Sequence, residues 1–275
     1  MSTPGYKLLA LDLDGTLTNS EKRVSAKNKE YIRKAQDKGV KVILASGRPV
    51  IGITSVADEL ELWTRGGYIL ANNGGHIIDC MTGKDLVKRT IPMEYVHDIC
   101  DVIHRYNVFP LCYNDTGVIC ENDTDQYVIK EGYNNGIPVI KVESLEEQIK
   151  DPVVKFMVVG EPEELGRAFG YLSSLFEGKL NVFFSEPYFM EVTPLGIEKA
   201  SALAELTGIL GIPREQLMAC GDGLNDIPML EYAGFAVAME NAYDETKKVA
   251  DHISASNEED GVAEAIQKFI LEADA

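Results

Sequence analysis

The chain has 275 residues, with 26 basic and 44 acidic side chains, a formal charge of −18, and a composition that is 45% apolar and 25% charged. This is the make-up of a globular chain long enough for one large domain or two smaller ones. It contains no apolar run near the roughly 18 to 20 residues that a membrane helix requires, and its acidity argues against a surface that tracks nucleic-acid phosphates. Residues 1–7 have neither the basic nor the apolar region of a leader peptide. Five scattered cysteines without a C-x-x-C pair suggest reduced thiols, hence a cytoplasmic protein with no disulfide frame.

Residues 8–13 form a nearly unbroken apolar run, the mark of a strand buried on both faces. A helix is predicted over 25–38, with Ser25 of N-cap type at its start and Gly39 placed to end it. A second β-branched run, 40–45, stops at Ser46-Gly47-Arg48-Pro49 and leads into a helix over 50–60. Residues 68–71 read as a third strand that closes on Asn72-Asn73-Gly74-Gly75, a turn signal. Beyond residue 84 the alternation lapses. A helix with Val96, Ile99, Cys100 and Ile103 on one face is followed by short strands at 109–113, 118–121 and 153–159. A second helix through Leu165 to Leu175 and strands at 181–184 and 188–192 complete this stretch. From 199 onward helices and strands alternate again: 199–210, 217–220, 226–233, 235–238, 244–249, 252–253 and 262–271.

Alternating strands and helices imply βαβ units and a mostly parallel sheet. The expected architecture is therefore a Rossmann-like α/β core of residues 1–84 and 195–275. Residues 85–194 are expected to form an inserted α+β domain with an antiparallel sheet. No internal repeat or low-complexity tract interrupts this plan.

The chemistry concentrates at strand ends. Asp12-Leu13-Asp14-Gly15-Thr16 closes the first buried strand, and carboxylates at i and i+2 of a strand project to one side. Ligands of open α/β sheets bind beyond the carboxyl ends of strands, where this pair falls. Two acids so close repel unless a cation or a shared proton intervenes; the alternative is a simple acidic turn. Residues 221–226, Gly-Asp-Gly-Leu-Asn-Asp, follow another strand in the same way and add Asp222, Asn225 and Asp226. A lone Gly-Asp-Gly is a turn, but acids converging from separate strands make a hard-oxygen site suited to Mg²⁺. Ser46 and Gly47 end a strand just before a helix, placed either to hold phosphate oxygens or to cap that helix. Lys199 opens a helix, where a cation is disfavoured by the dipole, and is either a surface lysine or the partner of a bound anion.

These pieces, in this order, resemble the four motifs of the haloacid-dehalogenase-like phosphohydrolase superfamily: Asp12-Leu-Asp14-Gly-Thr16, Ser46, Lys199, and Gly221-Asp222-x-x-Asn225-Asp226. The stretch Ala-Ser-Gly-Arg-Pro (45–49), Asn73-Gly74-Gly75 and the insert are similar to the Cof-type branch with its type-B cap. Ala200 and Leu195 depart from the usual glycine and polar residue near the cleft. The resemblance implies Asp12 as nucleophile, forming an aspartyl-phosphate, and Asp14 as general acid and then base. It implies Mg²⁺ on the Asp12 carboxylate, the Asp14 backbone carbonyl and Asp222, with Asp226 behind them. Ser46, Gly47, Lys199 and Asn225 would grip the phosphoryl oxygens. The insert would act as a lid that excludes water and reads the leaving group; Met190 and Glu191 either face that cleft or simply pack in the insert's sheet.

The expected partner is thus a small phosphorylated metabolite, a sugar phosphate or a phosphorylated cofactor. A phosphomutase and a non-catalytic Mg²⁺- and phosphate-binding regulator are the competing readings. A dinucleotide site is disfavoured, because the first βα turn holds Asp-Gly-Thr in place of Gly-x-Gly-x-x-Gly. The four histidines lack metal-ligand spacing, and Cys220 reads as a small buried hydrophobe.

Overall fold

The computed structural model describes residues 5–272, apart from the Ile103 side chain. The chain divides into two compact units. One runs through Gly47, from Ile53 to Val87 and again from Glu198 onward; the other takes Arg48–Gly52 and Lys88–Ile197. The breaks fall at 87/88 and 197/198, three residues beyond those expected from sequence, and residues 48–52 group with the inserted stretch.

In chain order the first unit contains β1 (Leu8–Leu11), α1 (Ala26–Asp37), β2 (Lys41–Ala45), all but the first two residues of α2 (Ile51–Glu59), α3 (Leu62–Arg65), β3 (Gly67–Ala71), β4 (His76–Asp79) and all but the last residue of β5 (Lys84–Lys88). All four residues of β1 are fully buried, and each of its leucines contributes roughly 2 kcal/mol by leaving water. Helix α1 starts where the Ser25 hydroxyl accepts the Asn28 N–H at 3.0 Å, and it buries Ile32 and Ala35 while its charged residues face outward.

The chain returns to the same sheet with α9 (Lys199–Leu210), β12 (Leu217–Gly221), α10 (Ile227–Tyr232), β13 (Phe235–Met239), α11 (Asp244–Lys248), β14 (His252–Ser254) and α12 (Gly261–Ile266). The strand order is β14-β13-β12-β1-β2-β3-β4-β5. Pairing is parallel from β14 to β3 and antiparallel between β3 and β4. Leu11 at the end of β1 is level with Leu44 on one side and Cys220 on the other. Successive strands are laid outward from β1 in one direction, and those after residue 198 in the other. The strand order therefore reverses at β1, the place where such sheets open a ligand crevice.

The second unit contains α4 (Val96–Cys100), α5 (Val102–Arg105), β6 (Val108–Asn114), β7 (Gly117–Cys120), α6 (Gln126–Asn135), β8 (Val139–Lys141), α7 (Leu145–Gln148), β9 (Phe156–Gly160), α8 (Pro162–Leu175), β10 (Leu180–Glu186) and β11 (Phe189–Pro194). Its sheet has the order β10-β11-β9-β6-β7-β8, antiparallel except between β7 and β8. Phe156 and Val158 face one core with Ile99, Leu165 and Leu172, whereas Met157 and Val159 face another with Val128 of α6. Both faces are covered, so β9 is apolar at every position.

Several features depart from the sequence reading. The helix expected through Val96 and Ile103 is two short pieces broken at Asp101, and the Ile103 side chain lies outside the described residues. Helices α3 and α6 and strands β5 and β8 were not anticipated. The α6 sequence carries Gly132 in its interior, but that glycine is demanded by packing: a Cβ there would stand 2.6 Å from Val139. The end signals were present, since the Asp125 side chain accepts the N–H groups of Tyr127 and Val128 and Gly136 closes the helix. Among the described residues no helix is long and apolar enough to cross a membrane.

Candidate active site

Strand β1 ends as the Asp12 N–H donates to the Cys220 carbonyl at 3.1 Å, after which Leu17 and Thr18 N–H groups fold back onto the Leu13 carbonyl. Gly15 makes that turn at φ +85°, and a Cβ there would lie 2.3 Å from Asp222 Oδ2. Only glycine lets the first acidic loop approach the second so closely. Thr16 Oγ1 donates to Asp222 Oδ1 at 2.6 Å, locking the two loops together. Asn241 Nδ2 braces the turn by donating to the Gly15 carbonyl at 2.7 Å.

The second loop is organised by Asp226, only 1% exposed. Its Oδ2 accepts the N–H groups of Asp222 (3.0 Å) and Gly223 (2.9 Å). Its Oδ1 accepts from Lys199 Nζ at 2.6 Å, and the same ammonium donates to Asp12 Oδ1 at 2.6 Å. Asp12, Asp222 and Asp226 each offer an oxygen, and these lie within 4.8 Å of one another. Among the described residues no other group of His, Cys, Asp or Glu side chains converges in this way.

Three carboxylates around one ammonium cannot all ionise cheaply in a buried site. Burial, reinforced by the Asp226 charge and opposed by Lys199, pushes the Asp12 carboxyl up to about 8. Burial likewise raises Asp222 to about 6, against the hydrogen bond from Thr16. Burial disfavours the Lys199 ammonium, but Asp12 and Asp226 outweigh it and hold the group charged above the ordinary lysine range. The Cys220 thiol behind the loop is pushed up to about 12 by burial and is inert as a nucleophile.

The Asp14 carboxylate is not among these converging oxygens, although its charge reaches Asp222. The strand has already ended at Leu11, so the alternation that would align residues 12 and 14 no longer operates. The Asp14 carboxylate, about two-fifths exposed, meets Lys22 Nζ at 2.6 Å. Ser46 is buried at the carboxyl end of β2, where its N–H reaches the Leu70 carbonyl at 2.9 Å. The Gly47 α-carbon faces Asn73, whose side-chain atoms lie 3.4 Å from where a Cβ would be. Asn225 Nδ2 donates to Asn73 Oδ1 at 3.4 Å. The structure thus gathers Asp12, Asp222, Asp226 and Lys199 directly, sets Ser46, Gly47 and Asn225 around Asn73, and leaves Asp14 on the more exposed side. Thr16, Asn73 and Asn241 were not singled out as site residues from sequence. The first two lie inside stretches read there as motif or turn, and Asn241 follows β13 with no local signal.

A doubly wound sheet with acids and a buried lysine collected at its strand-order reversal defines an α/β enzyme that works at the carboxyl edge of its strands. The chain belongs to the haloacid dehalogenase-like hydrolases, a phosphatase family, whose model matches residues 9–266. It is 41% identical to a haloacid dehalogenase-like hydrolase from Bacteroides thetaiotaomicron, covering 96% of this chain and 99% of that one with a TM-score of 0.93. It is 35% identical over 270 residues to the 5-amino-6-(5-phospho-D-ribitylamino)uracil phosphatase YcsE of Bacillus subtilis, covering 96% of each chain. A subclass IIB sugar phosphatase is 28% identical over 96% of this chain and 98% of its own, with a TM-score of 0.78.

Proposed function

We propose that this protein is a Mg²⁺-dependent phosphatase of small phosphorylated metabolites that works through an aspartyl-phosphate on Asp12. The observation that carries the reading is the convergence of Asp12, Asp222 and Asp226 on one point with Lys199 bound to two of them. A hard-oxygen donor set with surplus negative charge suits a divalent cation. Asp12 and Asp222 would hold Mg²⁺ together with the Asp14 backbone carbonyl, and Asp226 would support them from behind. When bound, the cation offsets the charge of the acids and of the phosphoryl group, which the bare site would repel.

The Asp12 carboxylate attacks phosphorus as the ester P–O bond breaks. Asp14 gives its proton to the departing alkoxide. Asp14 then takes a proton from water, the water oxygen bonds to phosphorus, and the acyl-phosphate P–O bond breaks to return Asp12 and release phosphate. Its exposure outside the acid cluster supports this role, because both leaving group and water must reach it. Lys199 has three N–H groups and two serve Asp12 and Asp226; the third, with Ser46, the Gly47 N–H and Asn225, would hold the transferring oxygens. Asp226 keeps Lys199 and the 222–223 backbone in place and does no chemistry itself.

The second unit would act as the cap that selects the leaving group, and sugar phosphates or ribityl-type phosphates are the favoured substrates, as in the named relatives. The test is release of inorganic phosphate from p-nitrophenyl phosphate and a panel of phosphometabolites, with Mg²⁺ and with excess EDTA. Turnover that stops in EDTA and in Asp12→Asn is expected. Robust turnover in EDTA contradicts the metal assignment, and isomerisation of sugar phosphates without phosphate release would indicate a mutase.

A further inference from the structure

The turn after β3 is built in a way that a simple connection does not need. Asn72 and Asn73, at φ 51° and 55°, both lie in the left-handed region, and Gly74 follows at φ 95°. Asparagine tolerates that region better than other side-chain-bearing residues, but two in succession are held there only by their surroundings. Those surroundings are three separate parts of the candidate site. The Asn73 N–H donates to the Ser46 carbonyl at 2.9 Å, and the Asn73 side chain lies against Gly47. Asn73 Oδ1 accepts from Asn225 Nδ2 at 3.4 Å. Gly74 abuts the first turn of α9: a Cβ on it would fall 2.3 Å from Ala202 Cβ and 3.2 Å from the Glu198 carbonyl oxygen. Ala202 lies three residues after Lys199, on the same side of the helix.

We infer that Asn73 is a positioning residue for the phosphoryl-binding groups, setting Ser46-Gly47 and Asn225 relative to one another within a turn that also seats the helix bearing Lys199. The inference rests on the proposed phosphatase reading, in which those groups hold the transferring oxygens. Asn73 needs no contact with substrate to act in this way. Its effect is on placement, and a displacement of about 1 Å in such a site can cost on the order of a hundredfold in rate.

Asn73→Gly tests it cleanly, because glycine keeps the left-handed backbone without strain and removes only the side chain. The readouts are kcat/KM for p-nitrophenyl phosphate with Mg²⁺, and calorimetric binding of inorganic phosphate to the Mg²⁺-loaded protein. The expected result is a loss of about 10- to 100-fold in kcat/KM and weaker phosphate binding, with an unchanged melting temperature. Asn225→Ala should add less in the Asn73→Gly background than in the wild-type chain, since the two residues share one contact. Wild-type kcat/KM and phosphate affinity in Asn73→Gly overturn the inference, as do losses that multiply independently in the double variant. Failure of the phosphatase reading would show separately, as turnover surviving in Asp12→Asn, while phosphate binding by Asn73→Gly still decides the role of the turn.

Discussion

Each unit of the molecule buries an acid–lysine cluster, and the two are finished differently. In the second unit Glu131, Lys155 and Glu191 are all more than nine-tenths buried, and Lys155 Nζ lies 3.4 Å from Glu191 Oε2. Glu131 Oε1 accepts from the Tyr113 hydroxyl at 2.5 Å and from Asn135 Nδ2 at 2.8 Å. Burial holds the Glu131 carboxyl above its ordinary range, with Lys155 and these neutral donors opposing the rise and Glu191 adding to it. In the first unit three carboxylates surround Lys199, and the Asp12 and Asp222 carboxyls remain raised to about 8 and about 6. A buried charge that serves architecture is met by partners from its own fold. On the proposed reading, the surplus at Asp12 would be offset by a bound cation.

The sharpest way to break this comparison is to neutralise one acid on each side. Asp12→Asn is expected to lower kcat on p-nitrophenyl phosphate by about 10⁴-fold or more with the circular dichroism spectrum unchanged. Glu131→Gln should leave turnover at the wild-type level and lower the melting temperature instead. Comparable turnover in the two variants would erase the distinction.

Removing the lysines comes next. Lys199→Met orphans Asp12 and Asp226 and should cost about 3–5 kcal/mol in denaturant unfolding without metal, much of it recovered on adding Mg²⁺. Lys155→Met should also destabilise, but Mg²⁺ should restore nothing there.

A smaller effect is carried by pH. Burial pushes Asp12 up to about 8 and Asp222 up to about 6 in the fold, above the ordinary 3.8. An acid raised by folding adds stability that is full below its unfolded pKa and is lost as pH rises through the folded one. Metal-free protein should therefore melt at a lower temperature at pH 8 than at pH 5. Magnesium at about a hundredfold its dissociation constant should raise the melting temperature at pH 8 by on the order of 5 °C or more, and by less at pH 5. A magnesium effect that ignores pH would contradict the assignment of these carboxyls. The smallest effect is expected of Lys22→Ala: its ion pair with Asp14 is half-exposed, worth about 1 kcal/mol or less, and its removal should lower the melting temperature only slightly.

Much of this was legible in the residues because local and global signals agree. The runs around Leu9, Ile43 and Ala219 are apolar apart from Lys41 at the start of β2, as strands buried on both faces must nearly be, and acids stand directly after two of them. What escaped is what tertiary contact decides. Helix α6 went unread; it carries Gly132, a poor helix former, in its interior, yet Val139 leaves no room for a side chain there. Asp12 and Asp14 looked like a matched pair, but the pairing needed a strand that had already ended at Leu11. Lys199 looked misplaced at a helix start; two carboxylates 2.6 Å from its ammonium far outweigh the dipole there. The part played by Asn73 depends on Ser46 and Asn225, distant in sequence, and no local pattern announces it.

The most direct measurement is a calorimetric titration of Mg²⁺ into metal-free protein at pH 7.5, repeated in two buffers of different ionisation enthalpy so that released protons are counted. One site that expels protons on binding, abolished in both Asp12→Asn and Asp222→Asn, is the predicted result. Magnesium binding that survives both substitutions, or no binding at all, would contradict the account.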